Sequence, residues 1–149
     1  MTAAARNEIL VSLDGKQVAT LPAELEALAA AIEQSKYILN LENDFDEANG
    51  VAYSPETWGK AIRFIAGYAQ WLFDVFGKVI FTPKIYHGPE GSIDLYWENP
   101  RFNLLINIPA GDEPATFYGD NYGSQVIEGK FNPTQFHQAL LPDLSLIST

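Results

Sequence analysis

A histidine a few residues from carboxylates is the simplest arrangement that moves protons, and His87, Glu90 and Asp94 form such a neighbourhood. An imidazole titrates near neutral pH, so either carboxylate beside it would make a general acid–base pair. No nucleophile or second base accompanies the histidine, and neither a Gly-x-Ser-x-Gly elbow nor a His-Glu-x-x-His helix occurs. No catalytic set is therefore assigned, and His87 reads as a packed or half-exposed residue at a strand end.

Two further groups merit attention. Asp44 and Asp46 match the first and third positions of an EF-hand loop, with Glu47 beside them. Ala48 and Asn49 then stand where a ligand and the glycine belong, and Pro55 where the bidentate glutamate belongs, so no metal site is assigned. The ordinary reading is a solvated acidic loop; the functional one is an acidic contact for a partner. The other group is Tyr86, Asp94, Tyr96, Asn103 and Asn107, which strand alternation collects on one sheet face. An open face of that composition binds a partner or a flat ligand; a solvated antiparallel sheet carries similar residues.

The bulk composition narrows the classes. With no cysteine, disulfides, thiol catalysis and thiolate zinc are absent. Two histidines are too few for an all-histidine zinc centre. No cofactor motif is present: the Gly119-Asp120-Asn121-Tyr122-Gly123 stretch matches neither phosphate-binding fingerprint and reads as a turn. A net charge of −10 repels phosphate backbones and anionic lipid, which argues against nucleic-acid and membrane binding and for solubility or a basic protein partner. No apolar run reaches bilayer length and the N-terminus lacks a secretory pattern, so the expectation is a cytoplasmic protein. At 149 residues, 47% hydrophobic and 19% charged, the chain suits one globular domain over 1–149.

The elements that must position these groups can be read in order. Residues 8–20 form a hairpin about Asp14-Gly15, a type I′ turn signal. A first helix opens at Leu21-Pro22 and places Leu25, Leu28, Ile32 and Leu39 on one stripe. A second runs over 54–76, with Ser54 as N-cap, Pro55 at the first position and Gly77 as its stop. Its apolar arc joins two stripes, Trp58-Ile62-Ile65-Ala69-Leu72-Phe76 and Ala61-Phe64-Tyr68-Trp71-Val75. That exceeds what one contact needs. The helix is either sandwiched within the fold or half of it meets a second subunit.

Residues 83–97 form the firmest hairpin, with Pro89-Glu90-Gly91 as a three-residue loop and Gly91 left-handed. This pairs Ile85 with Leu95, Tyr86 with Asp94 and His87 with Ile93. A four-residue connection, Glu98-Asn99-Pro100-Arg101, then pairs Trp97 with Phe102, Leu95 with Leu104 and Ile93 with Ile106. Strands over 115–118 and 124–128 and a short helix from Asn132 to Pro142 complete the chain, with the tail 143–149 docked or free. The fold class is α+β: two helices, an antiparallel meander of four to five strands and a short C-terminal helix, with the helices on one sheet face.

The segments Asn43-Asp44-Phe45-Asp46, Tyr53-Ser54-Pro55-Glu56-Thr57-Trp58 and Gly91-Ser92-Ile93-Asp94-Leu95-Tyr96-Trp97 follow one another in an order that resembles a group of short bacterial proteins. Those carry a Gly-Ser-Ile-Asp-Leu-x-Trp strand after a helix. The resemblance covers roughly residues 40–129, and that group has tryptophan where this chain has Phe45. It implies a compact bacterial domain and brings no catalytic residues.

The reading that results is a non-catalytic, acidic protein-interaction module of antitoxin-like, immunity or accessory type, meeting a protein partner or itself through the 54–76 helix. The competing reading is a small-molecule binder or hydrolase centred on His87, Asp94 and Tyr96.

Overall fold

A computed structural model of the chain describes residues 8–41, 53–100, 102–120 and 126–135. Among the described residues it is a mixed α+β fold of two α-helices and seven strands in two antiparallel sheets. Strands β1 (Glu8–Leu13) and β2 (Lys16–Pro22) form a separate hairpin. Its turn residues Asp14 and Gly15 have φ of 52° and 80°, the positive pair a type I′ turn requires.

The first helix begins later than its proline suggests. Pro22 ends β2 opposite Glu8, a 3-10 turn covers Ala23–Leu25, and α1 runs over Glu26–Gln34. The chain then tightens into a 3-10 segment, Ser35–Asn40. Three residues per turn instead of 3.6 advance the inward face by one position. Ile38 is therefore buried where strict helical spacing selects Leu39, which is only partly covered.

Helix α2 (Pro55–Phe76) forms as its signals require. Ser54 Oγ accepts from the Thr57 amide at 3.1 Å, and Gly77 closes the helix at φ 65°. The helix packs against β2 and against β4 (Ile93–Asn99) and β5 (Phe102–Ile108) of the large sheet. Both apolar stripes are thereby used. Trp58, Ile62, Ile65, Ala69 and Leu72 are buried, as are Ala61, Phe64 and Tyr68, and burial of each large apolar side chain contributes about 1.5–3 kcal/mol. The large apolar side chains of the helix that stay exposed are Val75 and Phe76, in its last turn.

The large sheet is a simple meander, β3 (Lys84–His87), β4, β5, β6 (Ala115–Asp120) and β7 (Val126–Phe131). The β3–β4 register pairs Ile85 with Leu95, Tyr86 with Asp94 and His87 with Ile93, as expected from the turn. Glu90 joins Gly91 in the left-handed region, at φ 56° and 78°.

The next hairpin is tighter than expected. Asn99 pairs with Phe102, so Trp97 faces Leu104, Leu95 faces Ile106 and Ile93 faces Ile108. Two sequence positions then separate the paired ends, where the expected loop had four. The register thus differs by two residues from the alternation-based one. A shift of two keeps every side chain on its own face, so the hydrophobic pattern cannot distinguish the two registers. Gly119 and Asp120 lie in β6 and not in a turn. Residues 132–135, where the sequence predicts the start of a C-terminal helix, form a turn; the rest of that expected helix, the tail and the acidic group Asp44, Asp46 and Glu47 fall outside the described residues.

Candidate functional site

The meander sorts its side chains cleanly. Ile93, Leu95 and Trp97 of β4, Phe102, Leu104, Ile106 and Ile108 of β5, and Ala115 of β6 are buried against the core. The opposite parity makes an outer face of three rows. The middle row runs Lys84, Tyr96, Leu105, Tyr118, Glu128. A second row holds Tyr86, Asp94, Asn107, Thr116 and Lys130, and a third holds Glu98, Asn103, Asp120 and Val126.

All five residues singled out as candidate binders, Tyr86, Asp94, Tyr96, Asn103 and Asn107, are on this face. They divide by role. The Asn107 amide donates to Asp94 Oδ1 at 2.7 Å and to Ser92 Oγ at 2.8 Å, and Ser92 Oγ donates to the Pro89 carbonyl at 2.6 Å. The Asn103 amide likewise donates to Asp120 Oδ1 at 3.2 Å. These asparagines brace neighbouring carboxylates and stitch adjacent strands.

Gly88 belongs to the same cluster. A Cβ there would sit 2.5 Å from Ser92 Oγ and 2.9 Å from Asp94 Oδ1, so the site accepts glycine for space, at an ordinary φ of −100°. Partial burial pushes the Asp94 pKa up; the Asn107 hydrogen bond and the His87 charge pull it down less.

Tyr86 is exposed on this face, Tyr96 is half-buried with its hydroxyl donating to Glu98 Oε2 at 3.1 Å, and the fold adds to them. Tyr118 and Val126 are 44% and 56% exposed, Tyr86 is 46% exposed, and half-buried Leu105 lies between Tyr96 and Tyr118. Leu105 follows from the same alternation as Asn103 and Asn107. Tyr118 and Val126 are not among the residues singled out from the sequence, although Thr116, Tyr118 and Asp120 alternate with Ala115, Phe117 and Gly119 in the expected way. Among the described residues the helices pack on the other side of this sheet. Among the described residues the patch is thus an aromatic and aliphatic surface with charges at its edges, the composition of an interface.

His87 goes elsewhere. Its Nδ1 shares a 2.9 Å hydrogen bond with the Tyr37 hydroxyl, and its ring lies edge-on to Tyr37 and Tyr53. Tyr53 donates to the Gly88 carbonyl at 2.6 Å. His87 has the parity of buried Ile93, while Asp94 and Tyr96 have the outer parity, so the three do not converge. A cleft of about 460 Å³ opens beside Tyr37 between Gln34 and the segment Thr82–Tyr86, and none of the three lines it.

Among the described residues, no group of three or more His, Asp and Glu side chains is placed to hold a metal. No helix among them is long and apolar enough to cross a membrane. Comparison with protein-family models, curated proteins and solved structures finds no match.

Proposed function

We propose that the protein is a non-catalytic interaction module, an accessory, immunity or antitoxin-like subunit, whose outer sheet face docks another protein chain. The observation that carries the reading is the middle row, where Tyr96, Leu105 and Tyr118 stand side by side across three paired strands with Lys84 and Glu128 at the ends. Aromatic anchors within a polar rim supply most of the energy in protein interfaces. A rigid sheet presents them without loop ordering, which lowers the entropic cost of docking. The net charge of −10 adds long-range selection against nucleic acid. Helix α2 keeps a smaller role in contact, since its exposed large apolar side chains are confined to the last turn, Val75 and Phe76.

A photo-crosslinking amino acid at position 118, compared with one at exposed Glu24 in the 3-10 turn after β2, outside the large sheet, tests this in the native cell. The reading expects discrete protein adducts from position 118 and none from position 24. Equal yields from both, or none from 118, contradict it.

A further inference from the structure

The outer face has a symmetry of charge that its residue types alone do not reveal. Lys84 and Glu128 occupy the two ends of the middle row, on edge strands β3 and β7, with Leu105 of β5 at its centre. Both end residues are exposed, and the one ion pair among the described residues is Lys36 with Glu33, elsewhere on the chain. We infer that the chain docked on this face is a second copy of the same protein, related by a two-fold axis parallel to β5. This inference rests on the reading of the outer face as a docking surface and names the partner of that site.

A two-fold dimer joins the same patch on both copies, and for face-to-face sheets the axis lies in the plane between them. Two orientations follow the strand grid. An axis across the strands would set Lys84 on Lys84 and Glu128 on Glu128, which like charge opposes. An axis along β5 exchanges β3 with β7 and β4 with β6 while keeping each row in place. Lys84 then meets the second copy's Glu128, twice. Tyr96 meets the second copy's Tyr118, and Leu105 meets Leu105. In the next row Tyr86 meets Lys130, a cation over an aromatic ring, and Asp94 meets Thr116.

Strand directions in this arrangement are near-aligned, as in ordinary sheet-on-sheet packing. One pairing opposes it: Glu98 meets Asp120. Both lie in the third row, at the rim, and each already accepts a hydrogen bond, from Tyr96 and Asn103 respectively.

The size fits a reversible dimer. Five strands about 4.8 Å apart and three rows about 7 Å apart make a face of about 24 by 20 Å. Two such faces bury on the order of 1,000 Å², near the lower limit for a specific complex. The net charge of −10 on each copy opposes association at low salt, and about 0.15 M salt screens that repulsion beyond about 8 Å while contact pairs persist.

Sedimentation of the full chain at about 0.15 M salt tests the inference. The expected species at high micromolar concentration is twice the 16.5 kDa chain mass. Lys84→Glu and Glu128→Lys each weaken the dimer at least about tenfold. Mixing the two single variants restores it, because every end pair in the mixed dimer is again opposite in charge. That rescue between chains cannot come from a role of either residue within one chain, and circular dichroism confirms that each variant is folded. Glu98→Gln tightens the dimer. A monomer at all concentrations overturns the inference, and so does a dimer that ignores the charge variants, which would lie on another surface such as the end of α2. If the chain is monomeric yet position 118 crosslinks to a different protein, the docking face stands and the second copy falls. If position 118 crosslinks to nothing, both fall.

Discussion

The indole N–H of Trp58 donates to Ser35 Oγ at 2.9 Å, and that hydroxyl donates to the Ile32 carbonyl at 2.6 Å. Two short bonds thus tie the start of α2 to the turn where α1 tightens, within the core. Ser35→Ala removes the acceptor and leaves a fully buried indole N–H without it. The expected cost is about 1–3 kcal/mol, read as a lower urea midpoint with an unchanged slope.

Gly88→Ala tests the polar cluster beneath Tyr53. The added methyl meets Ser92 Oγ and Asp94 Oδ1, and Ser92 can move only by giving up its bonds to Pro89 and Asn107. We expect a loss of about 1–3 kcal/mol, typical of overpacking. Adding Ser92→Ala should recover part of it, since one of the two clashing atoms is gone. A double-mutant cycle measures the recovery.

Gly119 and Gly129 both lie within strands under phenylalanine rings, yet they should respond differently. A Cβ at Gly119 meets the Asn103 backbone carbonyl at 2.7 Å as well as Phe102, and a paired strand cannot retreat. At Gly129 it meets only the ring of half-buried Phe117, which can swing outward. Gly119→Ala should cost about 2 kcal/mol or more. Gly129→Ala should stay within about 1 kcal/mol of wild type, helped by the better strand propensity of alanine. Thermal melts of the two variants give the order directly.

Asp94 holds its proton more tightly in the folded chain than its ordinary value of 3.8 implies, chiefly because burial disfavours the charge. With the folded pKa above the unfolded one, this group costs no stability at low pH, where both states are protonated. It lowers stability as pH rises from the unfolded value through the folded one. Asp94→Asn keeps the shape and an acceptor for Asn107. The variant should be at least as stable as wild type at pH 7 and lose that part of the decline. Denaturation curves across the acid range test it.

The face of each residue in the large sheet was readable because alternation has a period of two. Ile93, Leu95, Leu104 and Ile106 could belong only to the core, and Asp94, Asn103 and Asn107 only to the outside. Register was not readable between β4 and β5, since a two-residue loop and a four-residue loop preserve the same sorting. The loss of helical phase after Ser35 was equally hidden, because propensity does not mark where an α-helix tightens. Asp14-Gly15, Ser54-Pro55 and Gly77 were fully legible, since each residue type meets a local backbone demand. The middle row of the outer face was not, because Tyr118 reaches Leu105 only through the β5–β6 register, across a connection that carries no tight-turn signal.

Tyrosine footprinting addresses the docking face most directly, because three tyrosines are matched in exposure. Tyr86 and Tyr118 on the outer face are 46% and 44% exposed, and Tyr37 beside His87 is 39% exposed. Iodination in native lysate, compared with dilute purified protein, reads their reactivity side by side. If the outer face docks a protein chain, Tyr86 and Tyr118 are protected in the lysate while Tyr37 reacts as before. Equal reactivity of all three tyrosines under both conditions would contradict that account.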